Sequence, residues 1–316
     1  MTLVSIPSNP IPDGAITGSL KAADGVALRF ARWPVAEGKR RKGTVCLFPG
    51  RAEMIEKYFE VVTELRERGF AVAVLDWRGQ GGSARMLSDP RKGHVGDFAE
   101  YQLDLEAFMR QIVLPDCPPP YFALAHSMGG ANILRALREE RRWFDRVVLC
   151  APLIDLRLRR WPTVARYFTR FMARSGFGRR YIPGGGAAAV TNRPFANNPV
   201  SSDPERYQRI AAIVEAEPSL GLGSPTYSWI AAAFRQTDEF LAPEYPTRLH
   251  QPILILGAGD DRLVSTLASE KFAIRLRAGA MLTIPGSQHE IMIERDAIRA
   301  QFWAAFDAFV PGSATF

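Results

Sequence analysis

The residues best suited to chemistry lie in the run Tyr121-Phe122-Ala123-Leu124-Ala125-His126-Ser127-Met128-Gly129-Gly130-Ala131. An apolar stretch climbs to a serine, and small residues follow it. Ile133, Leu134 and Leu137 then recur at helical spacing, with Arg135, Arg138, Glu139 and Glu140 between them. This reads as strand, sharp turn and helix, the setting of a nucleophile elbow, G-x-S-x-G, with Ala125 in the first glycine position. Such a turn exposes the Ser127 hydroxyl at the C-terminal end of the strand. The residues two positions before and after it must be small, because strand and helix pass closely there. Met128 and Gly129 open the helix, so their N–H groups lack intrahelical acceptors and face the same place.

A serine becomes nucleophilic beside a base, and the base needs a third group to orient it. The chain has four histidines. His126 neighbours Ser127, so its side chain is expected to point away from the hydroxyl. His94 lies in a loop before a helix, and His250 precedes a strand, at the wrong end of a sheet. His289, in Pro285-Gly286-Ser287-Gln288-His289-Glu290, follows the last strand and is the expected base. The acid should follow the strand Ile253 to Leu256, where Asp260 and Asp261 stand side by side. Spacing alone does not separate them. Asp261 is favoured because Asp261-Arg262-Leu263-Val264 suits an acid turning into the next segment, with Asp260 a solvated neighbour. Two N–H groups are needed for an oxyanion. Met128 supplies one, and the backbone of Arg51, in the loop after the strand Thr44 to Phe48, supplies the other. Gly50 lets the main chain approach closely there.

The elements that must position these groups follow a simple rhythm. Leu20 to Trp33 reads as a hairpin around Asp24-Gly25, after an irregular lead-in over 1–18. Thr44 to Phe48, Phe70 to Leu75, Val147 to Cys150, Ile253 to Leu256 and Met281 to Ile284 read as further strands. Amphipathic helices are expected from Tyr58 to Gly69, Phe98 to Val113, Thr266 to Arg277, and through Phe302, Trp303, Phe306 and Phe309. Alternating strands and helices imply a mostly parallel sheet with helices on both faces, and a ligand site at the C-terminal strand ends. From 152 to 246 this alternation stops, so residues 1–151 and 247–316 form the expected core and 152–246 a helical insertion over it.

Composition narrows the function. Hydrophobic content of 47% and charged content of 23% suit a globular protein, and no run approaches the length of a membrane span. Cys46, Cys117 and Cys150 read as reduced, inert thiols, and the N-terminus does not read as a signal peptide, which together predict a cytoplasmic protein. No Cys/His cluster has metal-ligand spacing, and neither metal nor organic cofactor is expected. The net charge of +7 comes without any nucleic-acid-binding motif, so nucleic acid is not an expected partner.

The pieces Phe48-Pro49-Gly50-Arg51-Ala52-Glu53, Asp76-Trp77-Arg78-Gly79-Gln80-Gly81-Gly82-Ser83, Gly93-His94-Val95, the elbow, Asp261-Arg262-Leu263-Val264 and His289 together resemble bacterial lysophospholipases and their monoacylglycerol lipase relatives, among the serine aminopeptidase-like α/β-hydrolases. The chain order Ser, Asp, His agrees. The resemblance implies an α/β-hydrolase fold whose insertion is a cap over an acyl-chain tunnel. It also implies hydrolysis of the carboxylic ester of a lysophospholipid or monoacylglycerol through an acyl-enzyme. Ala125 departs from the elbow glycine, and Pro49 replaces a histidine seen in many lipases, which favours the lysophospholipase side. A proline-type aminopeptidase and an acyltransferase are the alternatives on the same fold.

Between Leu156 and Ser202 there is no acidic residue, while Arg157, Arg159, Arg160, Arg166, Arg170, Arg174, Arg179, Arg180 and Arg193 alternate with Trp161, Tyr167, Phe168, Phe171 and Phe177. Two readings stand. The cap docks on an anionic membrane or receives a phosphate headgroup, which would place the protein peripherally at the inner face of the membrane. Alternatively it presents a solvated basic face on an aromatic-packed helix.

Overall fold

The apolar runs form one eight-stranded sheet. The computed structural model describes residues 2–139, 141–157 and 162–311. Its strands are β1 (Ile16–Lys21), β2 (Ala27–Trp33), β3 (Gly43–Phe48), β4 (Phe70–Leu75), β5 (Tyr121–His126), β6 (Arg146–Cys150), β7 (Ile253–Ala258) and β8 (Gly279–Ile284), in the order β1-β2-β4-β3-β5-β6-β7-β8. β1 and β2 pair antiparallel, as do β2 and β4; all other neighbours are parallel. β3, β4 and β7 are buried along their whole length, which is why their sequences are nearly continuous apolar runs rather than alternating ones.

The structure shifts several boundaries. β1 starts inside the expected lead-in, because Ile16 pairs across to Arg32 and the hairpin is longer than its turn suggests. The helix expected over 98–113 is α-helical from Ala99 to Phe108 and then widens into a π-turn over Met109–Val113. The helix beginning at Thr266 ends at Ala273, not Arg277: β8 pairs with β7 from Gly279 onward, so the chain must turn back sooner.

Between β6 and β7 no described residue joins the sheet. Among the described residues three α-helices lie there, Pro162–Met172, Pro204–Ala216 and Tyr227–Leu241. The last two are capped by side chains, Asp203 accepting from Arg206 N (2.9 Å) and Thr226 from Trp229 N (3.3 Å). Polar ties fasten this segment to the rest: Ser201 Oγ donates to Ile293 O (2.7 Å), and Trp229 Nε1 to Tyr101 OH (3.2 Å). Glu140, Arg159, Arg160 and Trp161 lie outside the described residues. No helix among the described residues is long and apolar enough to cross a membrane.

Candidate active site

The end of β5 turns into the helix Met128–Arg138 at Ser127, whose φ of 49° and ψ of −114° are strained for a residue with a side chain. Two backbone bonds hold it there, Ser127 N to Cys150 O (3.1 Å) and Leu153 N to Ser127 O (3.0 Å). The glycine two positions on is obligatory, since a Cβ on Gly129 would stand 2.3 Å from the Phe48 carbonyl oxygen. Two positions before, Ala125 is fully buried between Phe48 on β3 and Leu149 on β6, where its methyl fills core space. This accounts for the departure from glycine at one side of the elbow only.

The two turns after β7 and β8 bring the other groups in. His289 Nε2 lies 2.9 Å from Ser127 Oγ, and His289 Nδ1 lies 2.8 Å from Asp261 Oδ2. Asp261 is buried, and its Oδ1 accepts from Leu263 N (2.8 Å) and Val264 N (2.9 Å). Burial pushes its carboxyl up, but His289 and these two N–H groups more than offset it, holding the group below its ordinary value. Asp260 is exposed, and among the described residues it makes only a backbone bond, to Ser287. Of the other histidines, His94 meets Thr226 Oγ1 (3.0 Å) and His250 is exposed.

The loop after β3 is braced by the glycine-rich loop after β4. Gln80 Nε2 donates to Gly50 O (2.7 Å), its Oε1 accepts from Ala52 N (3.2 Å), and Trp77 Nε1 donates to Pro49 O (2.9 Å). Gly50 N bonds Glu53. With both neighbours engaged, the N–H of Arg51 has no acceptor among the described residues. Met128 N, at the first turn of its helix, is orphaned by position.

Behind this loop is a buried cluster that sequence reasoning missed. Glu53 accepts from Lys57 Nζ (2.8 Å) and Tyr58 OH (2.6 Å) and meets His126 Nδ1 (2.8 Å). Lys57 also pairs with Glu290 (2.7 Å). His126, turned away from Ser127, brings Nε2 to 3.2 Å from the His289 carbonyl oxygen. The sequence signal was present, Glu53 closing the Pro-Gly-Arg-x-Glu piece, but its partners come from elements far apart in the chain. Burial raises the Glu53 carboxyl, yet Lys57 and His126 overcome that and hold it well below the usual range. A group held down in this way stabilises the fold above the ordinary carboxylate value and loses that contribution as pH falls towards the lowered one. Glu53→Gln should therefore cost about 3–5 kcal/mol at neutral pH by leaving Lys57 and His126 short of charge compensation. It should also flatten the acid limb of stability, measured by urea unfolding at several pH values. A variant as stable as the parent at pH 7 would refute this.

Ser127, His289, Met128 and Arg51 all line one cavity of about 630 Å³, lined elsewhere by Leu153, Ile182, Val190, Tyr207, Ile210 and Trp229. That size is typical of small-molecule sites.

A strand–serine–helix elbow in a mostly parallel sheet, with acid and histidine delivered from the ends of the last two strands, defines an α/β-hydrolase. A family model described as "Serine aminopeptidase, S33" matches residues 39–296, and the chain belongs to that family. It is 33% identical to Lysophospholipase L2 of Escherichia coli (strain K12) over 88% of this chain and 82% of the relative. It is 26% identical to the probable lysophospholipase L2 of Haemophilus influenzae over 84% and 82%. Its fold is similar to a soluble variant of monoglyceride lipase from Saccharomyces cerevisiae, with a TM-score of 0.74, 20% identity and coverage of 92% and 93%. It is likewise similar to a carboxyl esterase from Bacillus coagulans, with a TM-score of 0.75, 18% identity and coverage of 95% and 99%.

Proposed function

We propose that the protein is a serine hydrolase that cleaves the carboxylic ester of a single-chain lipid, a lysophospholipid or monoacylglycerol. The observation that carries this is the Ser127–His289–Asp261 relay opening into a mostly apolar cavity. Ser127 attacks the acyl carbonyl as His289 takes its proton. Asp261 fixes the imidazole tautomer and stabilises the imidazolium. The N–H groups of Arg51 and Met128 receive the oxyanion. His289 returns the proton to the departing alcohol and then activates water to release the fatty acid. The segment 152–246 acts as the cap that walls the acyl chain from solvent. Names of relatives that hydrolyse lysophospholipids and monoglycerides support this substrate class. Hydrolysis of lipid esters graded by acyl length, set against p-nitrophenyl esters and aminoacyl-anilides, tests it. Cleavage of the anilides alone would replace it with an aminopeptidase.

The cap helix also favours a membrane surface. Val164, Tyr167 and Phe171, one turn apart on Pro162–Met172, are 56%, 69% and 65% exposed. Such an apolar stripe on a surface helix suits insertion at a lipid interface. The basic residues are not all free to help: Arg166 pairs with Asp155 and Asp238, and Arg170 with Asp238. Arg174 and Arg180 have no carboxylate partner among the described residues and supply the attraction to anionic lipid. The three buried, unpaired cysteines suit a reducing compartment, and we place the protein at the cytoplasmic face of the membrane. In liposome flotation, binding is expected to anionic vesicles, to fall with salt, and to be lost in Tyr167→Ser/Phe171→Ser. Equal binding to neutral vesicles, insensitive to salt, would refute the electrostatic part.

A further inference from the structure

Arg51 stands on the cavity wall, and its guanidinium meets no carboxylate among the described residues. Its Nη2 donates to Gly223 O (2.6 Å), the group lies 5.3 Å from the Trp229 ring centre, and Nε is buried without any acceptor. The side chain fits because position 93 is glycine: a Cβ there would stand 2.4 Å from Nη2. Arginines that are fully buried are treated differently. Arg29 is held by Glu56 (2.7 Å) and Asp76 (2.6 Å), and Arg78 by Asp104 and Asp24 (both 2.7 Å). The two carboxylates on the same cavity wall, Glu53 and Glu290, are both engaged by Lys57. Burial pushes Arg51 down to about 10, with Tyr101 offsetting part and Arg193 adding to it, so the group is still cationic at neutral pH. Arg193 also lines the cavity and has no carboxylate partner among the described residues. A partly buried charge without a counter-charge is costly, and a planar guanidinium at the wall of a ligand cavity matches a bidentate oxyanion.

We propose that Arg51 is the headgroup-selecting residue: its guanidinium, with Arg193, receives the phosphate of a lysophospholipid, while its main-chain N–H serves the oxyanion. This rests on the ester-hydrolase reading above and decides between that reading's two substrate classes. One residue then senses the headgroup and stabilises the transition state. Seating the phosphate holds the scissile ester against the oxyanion donor of the same residue, so headgroup binding raises kcat as well as lowering KM.

The test compares a lysophospholipid and a monoacylglycerol of the same acyl chain in the parent, Arg51→Met and Arg51→Lys proteins. The parent should prefer the lysophospholipid. In Arg51→Met the ratio of the two kcat/KM values should fall by about 10- to 100-fold, the loss of a charge-assisted hydrogen bond, largely in kcat, with partial recovery in Arg51→Lys. A ratio unchanged by Arg51→Met overturns the assignment. Should that variant not fold, the parent decides alone. Glycerol 3-phosphate should slow fluorophosphonate labelling of Ser127, and neither glycerol nor inorganic phosphate should match it. Absence of protection, or equal protection by inorganic phosphate, overturns a headgroup site. A parent protein that cleaves neither lipid removes the ester-hydrolase reading instead, and the labelling experiment still reports on Arg51.

Discussion

Ser127→Ala should lower ester turnover by about a millionfold, the loss seen when members of a serine relay act as one unit. The geometry behind this is Ser127 Oγ at 2.9 Å from His289 Nε2, on an elbow that holds the residue at a φ of 49°. Alanine removes the atom that attacks and disturbs little else, because Ser127 makes its structural bonds through the main chain to Cys150 and Leu153. The fold and its unfolding midpoint should be retained while covalent labelling by a fluorophosphonate disappears. Residual catalysis over water should persist at about 10³- to 10⁴-fold from oxyanion stabilisation and binding. Esterase activity in the purified variant equal to that of the parent would sink the assignment of Ser127.

The second large effect separates two adjacent carboxylates. Asp261→Asn should lower kcat by about 10⁴-fold, because an amide at that position favours the wrong imidazole tautomer and no longer balances the imidazolium. Its Oδ1 contacts to Leu263 N and Val264 N (2.8 and 2.9 Å) can be retained by the asparagine carbonyl, so the loop should stay in place. Asp260→Asn should leave turnover near that of the parent, since Asp260 is exposed and uses only its backbone. Steady-state kinetics on one soluble ester suffices for both. Equal losses in the two variants, or a larger loss at Asp260, would reverse the roles.

How much of this could be read in advance follows from how far each signal reaches along the chain. The elbow was legible because its demands are local: small residues beside Ser127, an apolar run before it and helical spacing after it. The sheet was legible because strands buried on both faces must be nearly continuous in apolar residues, as β3, β4 and β7 are. Helix ends were less so, since the stop at Ala273 is set by the pairing of β8 with β7 and not by any residue near it.

By itself the sequence determined the α/β-hydrolase class and singled out the serine, the histidine and the neighbourhood of the acid as candidates, because periodicity and turn chemistry act between residues a few positions apart. The tertiary structure alone decided which aspartate faces His289, that Glu53, Lys57, His126 and Glu290 form one charged cluster, and that Arg51 meets no carboxylate among the described residues. Those are matters of burial and of contacts between groups scores of residues apart, and electrostatic energy depends on separation and solvent in three dimensions, which a linear order of residues does not contain.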